Sequence, residues 1–384
     1  MNSKWNYVPF DTLFDWKQKS HIKSGDGQKN GQYKMFVCSD TEIKRFDEYI
    51  ESGESLIFGT GGKASCHFVD DKFAYSTDCV VAQKKKSDIC TKFYYYFLRQ
   101  NRLNSIQQTF TGSGLQHTSK KKIGALLVPV VDFETQKCIV AKIEELFSEL
   151  DKNVETLKNI KQQLSVYRQA VLRDAFERLD TFVSLQSISE RIFDGPFGSN
   201  LKTSDYTSSG IRVVRLENLK DGWFDDSKHS FVTQEKYNTI SSHTVYPTDL
   251  IMSTFIADSI KICQMPEYVG FAVNKADCIG IRLKSNYVQR YVMYYLMTKN
   301  AYKSLIHEVH GATRPRVNTK QIKGIRIPAC DLSAQKQIVE NIESRLSVCD
   351  SIEKIVDTAL QQAEAMRQSI LKKAFEGNEF NDSI

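Results

Sequence analysis

The sequence predicts an α+β chain: two mixed α/β lobes joined by two long helices that pair as an antiparallel coiled coil, with a pseudo-two-fold internal repeat. Three observations predict it. Residues 112–177 lie over 311–376 at a constant offset of 199 with no gap, and 21 of 66 positions are identical. Both copies carry a seven-residue apolar period free of Pro and Gly from residue 133 to 177 and from 332 to 376. The stretch before each copy alternates short strand-like runs with turn residues and one aromatic helix.

Composition bounds the rest. A chain of 384 residues suggests two or three domains. Hydrophobic residues at 41% and charged residues at 26% exclude a largely disordered chain, a collagen and a dense coiled-coil rod. There is no run of 18 apolar residues, so no membrane-spanning helix is expected. The start, Met1-Asn-Ser-Lys-Trp-Asn, lacks the apolar core of a signal peptide, which points to the cytoplasm. Nine cysteines with no Cys-x-x-Cys pair argue against a structural zinc site and for reduced, mostly buried thiols.

The first block, residues 1–132, holds 19 Lys/Arg and 14 Asp/Glu. Glu54-Ser-Leu-Ile-Phe-Gly-Thr60 and Val80-Val-Ala read as strands, and Phe93-Tyr-Tyr-Tyr-Phe-Leu as a helix whose aromatics sit at core spacing. Its basic clusters are Lys63 after Gly61-Gly62, the run Lys84, Lys85, Lys86, and the turn with Gln116, His117, Lys120 and Lys121. Lys and Arg suit phosphates, while Gln, Asn and Arg also suit base edges.

Residues 133–180 form the first long helix. Asp132 stands where an N-cap belongs, three residues after Pro129. Ile143, Leu150, Leu157, Leu164 and Val171 recur every seven residues as a pairing seam; Phe147 and Val154 fill its alternate positions, which Lys161 and Arg168 then interrupt. At 1.5 Å per residue the rod would run roughly 65–70 Å.

The second block, residues 181–331, repeats the order of features and again holds 19 Lys/Arg against 14 Asp/Glu. Asp249-Leu-Ile-Met-Ser-Thr254 matches the Glu54 segment, and Tyr291-Val-Met-Tyr-Tyr-Leu matches the aromatic helix. Its basic turn carries Arg314, Arg316 and Lys320. Residues 332–384 then give the second long helix after Asp331, with Ile342, Cys349, Val356, Ala363 and Ile370 in the same phase. Two basic blocks thus alternate with two segments of net −1 and −3, a distribution that suits a polyanionic partner.

Catalytic motifs are incomplete. Ile57–Lys63 has Ile where a phosphate-binding loop needs its first Gly. His307-Glu-Val-His310 spaces its histidines by three rather than four. Asp194-Gly-Pro-Phe197 has Gly where the adenine-methyltransferase motif has its first Pro.

The paired helix starts, Ile123…Pro129…Gln136-Lys-Cys-Ile-Val140 and Ile322…Pro328…Gln335-Lys-Gln-Ile-Val339, give the chain a family likeness. It resembles the specificity subunit of type I restriction–modification systems over nearly its whole length. Phe193-Asp-Gly-Pro-Phe-Gly198 and Ile251-Met-Ser-Thr254 look like segments of such a subunit's second target recognition domain. Lys202, Thr254 and Lys261 therefore join the candidate DNA contacts. The resemblance implies a non-catalytic subunit that binds double-stranded DNA with a bipartite target, one half per lobe. It implies docking of two modification subunits carrying S-adenosylmethionine, which two restriction subunits using ATP and Mg can join. It implies no metal and no cofactor on the chain itself. The rival readings are a non-catalytic coiled-coil scaffold, an inactive remnant of such a subunit, a degenerate methyltransferase and an RNA reader.

Overall fold

The computed structural model describes residues 5–306 and 315–376. The chain divides into two units, one formed by residues 1–158 and 357–384, the other by residues 159–356. Each contains one lobe and a portion of both long helices.

In the first unit a six-stranded sheet has the order Phe14–Trp16, Cys79–Lys84, Glu51–Gly59, Cys66–Tyr75, Tyr33–Phe36, Ile43–Phe46. Only the Tyr33–Phe36 and Cys66–Tyr75 pair is parallel. The helix Thr91–Arg99 covers one face, burying Phe93, Tyr94, Phe97 and Leu98. Phe10, Phe14, Phe58 and the aromatic helix form one core with Leu371, Ala374 and Phe375 of the second long helix. The aromatic run is therefore core, as its spacing predicts.

The second lobe builds the same elements differently. One four-stranded sheet runs Ser189–Phe193, Cys278–Leu283, Leu250–Ser253, Ile262–Gln264. Another runs Phe231–Val232, Ile211–Val214, Ala272–Asn274, Thr244–Val245. The helix Gln289–Leu296 buries Tyr291 through Leu296 against the first of these sheets and against Val171, Leu172 and Phe176 of the first long helix.

The long helices run Phe133–Phe176 and Leu332–Glu376. Each starts on an aspartate N-cap: Asp132 accepts from the Thr135 backbone at 2.9 Å, and Asp331 from Ala334 at 2.9 Å. These bonds hold the Asp132 carboxyl below its usual range. Just before each cap a two-stranded ribbon forms, Asn6–Pro9 with Leu127–Val130 in one unit and Phe182–Ser184 with Arg326–Pro328 in the other. Pro129 and Pro328 lie in those ribbons, and their carbonyls accept the hydroxyls of Tyr94 at 3.0 Å and Tyr291 at 2.9 Å.

Ile143, Leu150, Leu164 and Val171 are buried, as are Ile342, Cys349, Val356 and Ala363. Leu157 and Ile370 are only half-buried, so the seam is looser at those two positions. The basic residues that interrupt the seam bridge the helices instead. Arg168 donates to Asp350 at 2.6 Å and Glu353 at 2.9 Å within the second unit. Arg367 pairs with Asp151 within the first. The two arginines and the two aspartates are each 199 positions apart, so the two units hold their helix segments in one antiparallel register.

All nine cysteines are free, and five are buried. Burial pushes the Cys66, Cys79 and Cys263 thiols up to about 12, so they stay protonated and inert.

Candidate nucleic-acid interface

In both lobes the turn before the ribbon folds back on the loop that leaves a central strand. In the first, the loop after Glu51–Gly59 meets the turn Thr111–Thr118. Thr118 donates its backbone N–H to Thr60 O at 2.9 Å, Gly62 donates to Gln116 O at 2.9 Å, and His117 bridges Gly61 and Thr111. In the second, the loop after Leu250–Ser253 meets residues 315–317. Val317 donates to Thr254 O at 2.9 Å, and Arg316 bridges Phe255. Thr60 and Thr254 also donate their backbone N–H to Asp78 O and Asp277 O, each at 2.9 Å. His117 and Arg316 are 199 residues apart, so one backbone frame presents different side chains in the two lobes.

The structure sorts the predicted contacts. Lys63, Gln116, His117 and Lys121 are exposed on this frame in the first lobe. Lys86 is exposed on the turn after the strand Cys79–Lys84. Lys202, Lys261, Arg316 and Lys320 are exposed in the second lobe. Three first-lobe lysines, Lys85 among them still exposed, are tied to partners within the lobe instead. Lys84 Nζ sits 2.6 Å from the Glu54 carboxylate, which also accepts from Thr91 at 2.9 Å. Lys85 Nζ donates to Asp11 O at 2.5 Å and lies 3.6 Å from Asp15. Lys120 Nζ donates to Lys17 O, and burial holds its amine below its usual range. Thr254 is only 4% exposed, and its hydroxyl faces the Asp277 carboxylate at 3.5 Å. It supports the loop from below because the strand it ends is buried on both faces. Arg314 and the His307–His310 motif lie outside the described residues.

Arg316 is exposed yet committed at one nitrogen: Nη2 pairs with Asp277, and the guanidinium lies 5.4 Å over the Phe255 ring. Asp277 holds φ at +76°, a conformation unusual for a residue with a side chain. Beside them a cavity of about 310 Å³ is lined by Asp194, Phe197, Thr254, Asp277, Arg316 and Asn318, among others. Asp194 accepts from the Thr319 hydroxyl at 2.8 Å. Sequence reading missed Asp277 and Phe255 as partners of Arg316. The pairing of Phe73…Asp78-Cys79 with Phe271…Asp277-Cys278 was the signal, since it places an aspartate before each equivalent cysteine.

The model of the type I restriction modification DNA specificity domain matches residues 2–165 and again 198–362. The chain belongs to this family. Its function is therefore DNA specificity in a type I restriction–modification system, as the resemblance implied. It is 24% identical over 351 residues to the type I restriction enzyme EcoBI specificity subunit of Escherichia coli, covering 84% of this chain and 73% of that one. It is 24% identical over 389 residues to the EcoDI specificity subunit of the same organism, covering 93% and 84%. A chain from a structure of the assembly and conformational transition of the type I R-M system superposes with TM-score 0.74 at 15% identity, over 97% of this chain and 98% of that chain. The HsdS subunit from Thermoanaerobacter tengcongensis superposes with TM-score 0.51 at 15% identity, over 98% and 97%. These likenesses show the shared fold. Among the described residues no helix is long and apolar enough to cross a membrane.

Proposed function

We propose that this family member is the non-catalytic reading subunit of its complex, with residues 1–132 and 181–331 as target recognition domains that each take one half of a split duplex target. The helices of residues 133–180 and 332–384 would set the gap between halves and dock two modification subunits, which two restriction subunits can join. S-adenosylmethionine then belongs to the modification partner, ATP and Mg to the restriction partner, and no cofactor to this chain. Such an assembly works on DNA in the cytoplasm.

One observation carries the reading. The same backbone frame occurs in both lobes with His117 at one position and Arg316 at its equivalent. A repeated frame with exchanged side chains suits two half-sites of different sequence, just as protein symmetry mirrors half-site placement in dimeric readers. The exposed Lys63, Lys86, Lys121, Lys202, Lys261 and Lys320 supply charge for backbone contacts.

The test is mapping of N6-methyladenine in the host genome with the gene intact and deleted. Loss of one split motif on deletion supports the reading. If no motif is lost while the modification partner is expressed, the chain is a scaffold or an inactive remnant.

A further inference from the structure

We infer that Arg316, held by Asp277, reads a guanine of the half-target bound by the second lobe. The inference rests on the reading subunit proposed above and names the chemistry of one of its contacts.

The cavity at Arg316 favours a base edge over a phosphate. Its lining holds one guanidinium against two carboxylates, those of Asp194 and Asp277. A phosphate drawn to Arg316 would come up against both anions, at close range where like charges repel most. A neutral ligand meets no such repulsion. It must offer acceptors to the guanidinium and a donor to a carboxylate.

The major-groove edge of a G·C pair offers both: adjacent O6 and N7 acceptors on guanine, and the N4 amine on cytosine. An A·T pair offers no two adjacent acceptors for the fork of an arginine. Arg316 retains a fork to use them: Nη2 carries two N–H groups and the Asp277 pair takes one, which leaves the other to act together with a neighbouring guanidinium N–H, since neither Nε nor Nη1 hydrogen-bonds a described residue. Phe255 beneath the guanidinium and Asp277 at its Nη2 fix its plane. Phe197, 58% exposed on the cavity lining, gives an apolar face beside it.

Asp277 is the positioning residue. Its backbone is held at φ +76° while its carbonyl ties to Thr254 and its carboxylate to Arg316. Strain kept at an exposed arginine fits a preorganised contact. The first lobe carries His117 at the equivalent position, so it does not share this contact.

The experiment uses the full chain assembled with its modification subunits and a duplex carrying the methylation-mapped target. Guanines in the half-site bound by the second lobe are replaced singly by 7-deazaguanine, which lacks N7. With the unaltered chain, one replacement should weaken binding roughly 5- to 150-fold. Arg316→Ala should bind the replaced and normal duplexes alike. Asp277→Asn suits the same backbone conformation; it should lower the discrimination and strengthen binding to unrelated duplex.

Three results overturn the inference. One is that no guanine replacement costs the unaltered complex affinity. Another is that Arg316→Ala weakens all duplexes equally and lowers the salt slope by about one, the mark of a phosphate contact. The third is that Asp277→Asn changes neither quantity, which removes the positioning role. An unaltered complex with no sequence preference would instead sink the proposed function itself.

Discussion

Asp249, just before the strand Leu250–Ser253, forms a two-point ion pair with Arg282 of the adjacent strand Cys278–Leu283, with Nε at 2.9 Å and Nη2 at 2.6 Å from the two carboxylate oxygens. Asp249 is buried and also accepts the Tyr246 backbone N–H at 2.9 Å. Removing it leaves the Arg282 guanidinium and the Tyr246 N–H without their acceptor. Asp249→Ala should therefore cost about 2–4 kcal/mol of folding free energy, somewhat below the roughly 3–5 kcal/mol for a fully buried pair because Arg282 is partly exposed. Urea unfolding followed by near-ultraviolet signals of the second lobe measures this. A loss under 1 kcal/mol would mean that water replaces the aspartate.

The first lobe carries the corresponding pair at Glu54 and Lys84, on the strands Glu51–Gly59 and Cys79–Lys84. Burial alone would raise the Glu54 pKa. The hydrogen bonds from Lys84 and Thr91 and the charges of Lys84 and Lys92 outweigh it, so the net shift is downward from 4.5. A lowered carboxylate pKa stabilises the fold above the unfolded value and loses that contribution as pH falls through the folded value. Glu54 is about one-third exposed, so screening limits the effect to roughly 0.5–1 kcal/mol. Glu54→Gln should destabilise by that amount at pH 7 and match the parent once the pH lies below the folded value. An equal deficit at both pH values would assign the loss to packing.

The long helices were legible because a heptad repeat is local. Ile143, Leu150, Leu164 and Val171 announce their own buried face, and Asp132 and Asp331 their own caps. The lysine roles were not legible. Lys84, Lys85 and Lys86 are neighbours in sequence, but the strand ends at Lys84 and turns its side chain to Glu54, thirty residues away. Lys85 turns to Asp11, and only Lys86 is left exposed without an ion pair among the described residues. Thr254 was among the candidate DNA contacts, yet the strand before it is buried at every position and carries it inward. The sheets differ for a similar reason. One lobe closes a single six-stranded sheet and the other splits into two four-stranded ones, a choice made by long-range pairing rather than by strand propensity.

The same distinction separates two kinds of lysine variant. Lys63→Ala and Lys261→Ala remove exposed charges and should weaken duplex binding by the assembled complex across all sequences. Each should lower the slope of log K against log salt by roughly 0.9 if it neutralises one phosphate. Lys120→Ala removes a support for the Lys17 carbonyl and should lower thermal stability while leaving the slope unchanged. Slopes that do not move for Lys63 and Lys261 would take both off the DNA path.

Gln136 and Gln335 lock each helix start to its lobe. Gln136 accepts from Cys90 N at 2.8 Å and donates to Val131 O at 2.7 Å. Gln335 accepts from Val288 N at 2.8 Å and donates to Cys330 O at 3.0 Å. Both are buried, so Gln335→Leu strands a donor and an acceptor and should cost about 2–4 kcal/mol. Urea unfolding that shows less than 1 kcal/mol would contradict the lock.

The spacer between half-targets tests the helices as a ruler. Deleting residues 156–162 and 356–362 removes one heptad from each long helix and leaves the Arg168–Asp350 and Arg367–Asp151 pairs in place. Seven helical residues span about 10 Å, which is about three base pairs of B-DNA. Methylation mapping of cells carrying the shortened chain should return the same half-targets with a spacer about three base pairs shorter, or no methylation if the modification subunits need the original length. An unchanged spacer would show that something other than helix length sets the gap.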